Sequence, residues 1–144
     1  MNYKNFFNNQ AGLSIIEIMV AFSILVVAFI GLIQSFPFGL SINKAAENVT
    51  IASYLAQGKI EEIISSGYDN INVGLLEAKQ RLSENPADYL YSYQRQTEVN
   101  YVDSDLVNSV DDTGMKKISV TIYYTNSISK TEKDYKIVTL ITKR

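Results

Sequence analysis

The chain has no cysteine and no histidine. Without cysteine there is neither a disulfide nor a thiolate metal site. Without histidine the commonest general base and metal ligand is missing. No Gly-rich phosphate loop and no Gly-x-Ser-x-Gly elbow occurs in the sequence, so two frequent catalytic scaffolds are excluded. The expectation is a protein that is not an enzyme and carries no cofactor. Basic charge is also scarce: 13 Lys and Arg against 15 Asp and Glu give a net charge of −2. Lys116-Lys117 is a pair and not a patch, whereas a nucleic-acid footprint needs a clustered basic face. Only two prolines are present, Pro37 and Pro86, so few positions punctuate the chain.

What the chain does have is a long apolar run from Leu13 to Ile33, with a single charge in it, Glu17. A hydrocarbon core of about 30 Å needs about 20 apolar residues as helix, and this run has that length. A carboxylate within such a segment is costly and marks a functional site by default. Upstream lies a polar leader, residues 1–12, whose one basic residue is Lys4. An ordinary secretory signal places its small-residue cleavage site after the apolar segment. Here the small pair Ala11-Gly12 comes before it. Cleavage after Gly12 would remove the leader, keep the apolar helix and create a new α-amine on Leu13, four residues before Glu17.

The stretch Gly12-Leu13-Ser14-Ile15-Ile16-Glu17 resembles the prepilin cleavage and methylation motif of type IV pilins and type II secretion pseudopilins. That motif is usually Gly followed by Phe-Thr-Leu-Ile-Glu. Gly12, Ile16 and Glu17 match it, Leu13 replaces the commoner Phe, and Ser14-Ile15 replaces Thr-Leu. The resemblance implies cutting between Gly12 and Leu13 by a prepilin peptidase and N-methylation of Leu13. It also implies that Glu17 guides assembly by meeting the α-amine of a neighbouring subunit. The implied partners are other pilin or pseudopilin subunits, the peptidase, the inner-membrane assembly platform and membrane lipid. The implied location is the bacterial inner membrane, single-pass, and then an extracytoplasmic filament. Many such pilins close a C-terminal loop with a disulfide, which a chain without cysteine cannot do. The segment Leu55-Ala56-Gln57-Gly58-Lys59-Ile60-Glu61-Glu62 is similar to a Leu-Ala-x-x-Lys-x-Glu-Glu stretch of one group of minor pilins and of a minor pseudopilin. A solvated Lys-Glu helix face gives the same pattern.

Beyond the apolar run, Pro37 and Gly39 predict a kink or brief break near residues 34–39. Ile42, Ala45, Val49, Ala52, Ala56, Ile60 and Ile63 then recur at spacings of three and four, which marks one face of an amphipathic helix. Gly67 suits a helix stop. Residues 68–88 read as irregular with a short helix, in which Leu75, Leu76, Ala78 and Leu82 face inward and which Asn85-Pro86 ends. From Tyr89 the period changes to two: Tyr89, Tyr91, Tyr93, Thr97, Val99 and Tyr101 fall on one side of a strand. Ile118, Val120, Ile122 and Tyr124 do the same over residues 115–125, and a third strand follows over 135–142. Short connections favour an antiparallel meander.

The expected fold is therefore α+β: a long N-terminal helix whose first half is transmembrane and whose second half packs across a small antiparallel sheet. The expected organisation is a leader (1–12), a transmembrane and assembly helix (13–36) and a pilin-like globular domain (37–144). The functional expectation is a minor pilin of a type IV pilus. Two readings stay open beside it, a pseudopilin of a type II secretion or DNA-uptake machine and a single-pass anchored binding domain that never polymerises. Asp103, Asp105, Asp111 and Asp112 crowd one loop. Calcium favours such oxygen ligands, but aspartates also serve turns. Asn48-Val49-Thr50 fits a glycosylation acceptor but falls inside a predicted helix.

Overall fold

The computed structural model describes residues 14–126 and 130–143. The chain divides into two compact units, Met1–Leu40 and Ser41–Arg144, which are taken separately below. One helix, α1 (Ile15–Ser65), supplies the described secondary structure of the first unit and the opening element of the second.

In the first unit α1 runs through Pro37 without interruption, which corrects the expected break. Proline removes one intrahelical bond and adds one clash, at about 3 kcal/mol. Ending a helix and starting another leaves several carbonyls and amides without partners at each end. In a segment suited to lipid that is far the larger penalty. The hydroxyls in this unit are also satisfied locally. Ser23 donates to the Met19 carbonyl and Ser35 to the Gly31 carbonyl, each at 2.8 Å.

The second unit is a five-stranded antiparallel sheet covered on one face by the Ser41–Ser65 part of α1. The strands are β1 (Gly74–Arg81), β2 (Tyr93–Val102), β3 (Asn108–Ser109), β4 (Met115–Thr125) and β5 (Glu132–Thr142). Their order is β1-β2-β4-β5, with β3 pairing on β2 beyond the start of β1. β4 pairs in unbroken register with β2 and with β5, so the meander expected from the short connections is present. Ala52, Ala56, Ile60 and Ile63 pack against Val99, Ile118, Val120, Ile122 and Tyr124. The two alanines let the helix approach the β-branched side chains of the strands closely, and interior density follows from such fits.

The helical stripe holds from Ala52 to Ile63 and slips at its start, where Ile42 and Val49 are exposed and Asn48 is buried. The sheet ends opposite Asn48 with Tyr93, whose hydroxyl donates to the Asn48 Oδ1 at 3.3 Å. A buried phenol needs such a partner, and a buried, bonded Asn48 is not an accessible glycosylation acceptor. Past the helix, Gly67 takes φ 81°, a conformation costly for any residue with a Cβ.

Residues 74–81 are a strand and not the expected helix, and Leu75, Leu76 and Ala78 are exposed. Leu82 alone of the four packs partly against the core. Leu, Glu, Ala, Lys, Gln and Arg favour helix locally, and a long-range match overrides them. Glu77, 11% exposed at its side chain, receives Arg95 Nε at 2.7 Å and Nη2 at 3.0 Å. Thr97 Oγ1 and Gln80 Nε2 complete its shell at 3.1 Å each. The next strand also starts later than expected. Tyr89–Ser92 form a 3-10 turn because Asp88 accepts from the Leu90 amide at 3.0 Å.

The Glu77 cluster sets an acid limit on the domain. Burial pushes the Glu77 carboxyl up, but the hydrogen bonds from Arg95, Gln80 and Thr97 and the guanidinium charge outweigh it and hold the group below its ordinary 4.5. A depressed native value stabilises the fold fully above the unfolded value, and that contribution is lost as pH falls through the native one. In detergent, wild type is therefore expected to melt several degrees above Glu77→Gln at pH 7. The gap should close as pH is lowered below about 4. A gap that stays constant from pH 7 to pH 3 contradicts this reading.

Candidate functional site

The candidate site lies at the start of α1. The Ser14 carbonyl accepts from the Glu17 amide at 3.0 Å and the Ile18 amide at 3.2 Å, so Ser14 opens the first turn. Glu17 sits in that turn. A carboxylate there complements the positive end of the helix dipole. Between Ser14 and Asn43 it is the only ionisable residue. Every residue from Ser14 to Phe38 is exposed, so among the described residues nothing covers the apolar surface. It is one helix long and apolar enough to cross a membrane near the N-terminus, consistent with a single-pass membrane protein. Gly12 and Leu13, the expected cleavage and methylation positions, lie outside the described residues.

The remaining sequence candidates take structural roles. Lys59, 17% exposed at its side chain, donates to Glu62 at 2.8 Å along the helix, and Glu61 points to solvent. Asp103 Oδ1 accepts from the amides of Asp105 at 3.0 Å and Val107 at 2.9 Å. Asp112 Oδ1 accepts from the Tyr68 hydroxyl and, at 2.9 Å, from the Gly114 amide. The Tyr68 hydrogen bond first, and then that of Gly114, holds the Asp112 carboxyl below its usual range. Among the described residues, no group of three or more carboxylates gathers to hold a metal ion. These aspartates shape turns.

Sequence reading missed Lys116. It is 3% exposed, and its Nζ donates to the carbonyls of Tyr68 at 2.7 Å and Ile71 at 2.8 Å. The ammonium also lies 4.1 Å from the centroid of the Tyr68 ring. Lys143, at 3.2 Å from Asp69, fastens the same segment from the C-terminal side. The turn that follows the helix is thereby bound to the sheet. The one available signal was parity: Lys116 shares the side of β4 that carries Ile118, Val120 and Ile122. A charge at an inward position implies buried acceptors.

Comparison of the chain with protein-family models, with curated proteins and with solved structures finds no match.

Proposed function

We propose that this chain is a structural subunit of a membrane-anchored filament of the type IV pilin class, in the role of a minor pilin. The observation that carries the reading is the exposed apolar segment of α1 with one carboxylate in its first turn, leading into a folded α+β head. A lone membrane anchor needs the length but has no use for Glu17. A subunit that moves from lipid into a bundle of similar helices has a use for one charge near the helix start, because it fixes register as the apolar surfaces exchange lipid for protein. The Gly12-Leu13 junction supports the same reading by its placement before the apolar run.

The deciding experiment is the intact mass of the protein from native membranes that contain an active prepilin peptidase. The expected mature chain begins at Leu13, with or without one added methyl group. Gly12→Leu should leave the full leader on nearly every molecule. A wild-type chain that retains residues 1–12 refutes the reading and leaves a plain single-pass anchor.

A further inference from the structure

After Glu17 the next ionisable residue is Lys44. As helix, the stretch between them is about 40 Å long at about 1.5 Å per residue. A bilayer with its headgroups is roughly 40–45 Å thick. Lys44 comes four residues after Leu40, where the first unit ends. The head therefore receives its chain at the level of the headgroups when the apolar run spans. A depression of about 430 Å³ opens on the head among residues of that entry, Lys44, Glu47 and Asn48. Ligand pockets begin at about 300 Å³. Tyr89 and Tyr93 also line it, and so does Lys130 from the turn before β5, where its amide donates to the Asn126 carbonyl at 2.9 Å.

The polar groups of the depression are of both signs. Lys44 Nζ lies 2.9 Å from Glu47 Oε2, and the two side chains are 52% and 53% exposed. A pair that wet contributes little and opens readily. Asn48 is 7% exposed. Its Oδ1 already accepts from Tyr93, so Nδ2 is the half of the amide left to donate. An anion alone would meet Glu47 there, and a cation alone would meet two lysines. A zwitterion with a phosphate and an ammonium a few bonds apart satisfies both. The phosphate replaces Glu47 as the partner of Lys44 and reaches Lys130. The ammonium takes Glu47 and lies by the exposed ring of Tyr89, whose face attracts cations. A primary ammonium donates to Glu47, whereas a trimethylated one has no N–H to give. We propose that this depression binds the phosphoethanolamine headgroup of a phospholipid in the leaflet next to the head. The surroundings suit a membrane surface. Arg81 lies 4.1 Å from the centroid of the Tyr91 ring and Lys79 4.1 Å from that of Tyr123, both at the Tyr93 end of the sheet. Tyrosines are enriched at membrane interfaces. Of the carboxylates near this end, Asp88 accepts from the Leu90 amide and Glu132 is paired with Lys79. Asp103, Asp105 and Asp111 lie beyond Val102, about 30 Å away along β2. The inference rests on the membrane anchor within the proposed function and not on filament assembly.

The full-length chain is stripped of lipid in mild detergent and placed in nanodiscs holding equal amounts of phosphatidylethanolamine, phosphatidylcholine and phosphatidylglycerol. Native mass spectrometry then reads the lipid that stays on the released protein. The expected result is one bound phosphatidylethanolamine per chain, at least fivefold above either other lipid. Glu47→Gln removes the partner of the ammonium and should cut the preference over phosphatidylglycerol to below twofold. Lys130→Gln should lower bound phosphatidylethanolamine at least threefold. Both side chains are exposed, so these variants keep their fold. Asp105→Asn, at the far end, should change neither number. Equal retention of the three lipids overturns the site, as does a preference that Glu47→Gln leaves intact. Free phosphoethanolamine that binds as tightly as the lipid assigns the depression to a soluble compound and overturns the lipid source. A chain that alkaline carbonate strips from native membranes refutes the anchor and the site with it. A chain that resists carbonate and shows no preference overturns the site alone.

Discussion

Glu17→Leu is expected to leave the protein in the membrane, correctly processed, and to lower its content in sheared filaments at least tenfold. Insertion should not suffer, because a carboxylate opposes burial in lipid while leucine favours it. On insertion scales the two differ by roughly 3 kcal/mol at mid-bilayer and by less near a helix end. Processing should not suffer either, since the proposed cut falls between Gly12 and Leu13, four residues before Glu17. What the variant loses is the one charge in a segment otherwise free of ionisable groups from Ser14 to Asn43. In a bundle of apolar helices, packing alone is nearly indifferent to sliding by a turn. A carboxylate that must meet an amine is not. An ion pair in such a setting roughly breaks even against desolvation, so its contribution is register and not adhesion. The α-amine of Leu13 in a neighbouring copy is the complementary group that the pilin resemblance supplies. Immunoblots of membrane and sheared fractions, with wild type and variant tagged differently in the same cells, give the ratio directly. Equal incorporation contradicts the role assigned to Glu17.

Much of this architecture is legible in the sequence, and what is not legible has a common cause. Ile118, Val120, Ile122 and Tyr124 alternate along β4 and are all buried. Ala52, Ala56, Ile60 and Ile63 repeat with the helical period and form the facing layer. In both cases the pattern and the burial are local to one element, so periodicity suffices. β1 is different. Its residues favour helix one by one, and what makes them a strand is Arg95 and Thr97 on β2, 18 and 20 residues away from Glu77. β1 also carries register shifts at Leu75/Glu77 and Glu77/Gln80, which break the alternation that would have betrayed it. Pro37 shows the converse. A strong local signal for a break yields to the cost of opening a long apolar helix. At the candidate site, Glu17 stood out because an isolated charge in an apolar run needs no partner to be noticed. Lys116 did not, since the buried carbonyls it serves come together only in the folded chain.

Lys116→Met is expected to lower the melting temperature of the head domain by about 5 °C, measured in detergent by the near-ultraviolet signal of its tyrosines. Methionine reproduces the length and most of the volume of the lysine stem, so no large cavity opens. The loss is of donors. The Ile71 carbonyl loses its donor, while the Tyr68 carbonyl keeps only the Ile71 amide at 3.3 Å, and a buried acceptor left unpaired costs about 1–3 kcal/mol. The stacking of the ammonium on the Tyr68 face is lost as well, up to about 2 kcal/mol when desolvated. Against this, the variant no longer has to bury a charge, which returns a few kcal/mol. One orphaned carbonyl, one left with a single long donor and a lost ring contact exceed that return by about 1 kcal/mol on these figures, and for a domain of this size each kcal/mol moves the midpoint by about 4–8 °C. The damage should be local before it is global. Amides between Gly67 and Val73 should exchange faster and the segment should become sensitive to protease, because the Tyr68–Asp112 hydrogen bond and the exposed Lys143–Asp69 pair are then its remaining charged fastenings. Lys117→Met is the matched control. Its amine donates to Asn108 on the outer face, in an exposed pair, so its loss should shift the midpoint by no more than about 2 °C, as for an ordinary surface change. If both variants melt alike, Lys116 does not hold the turn that ends the helix.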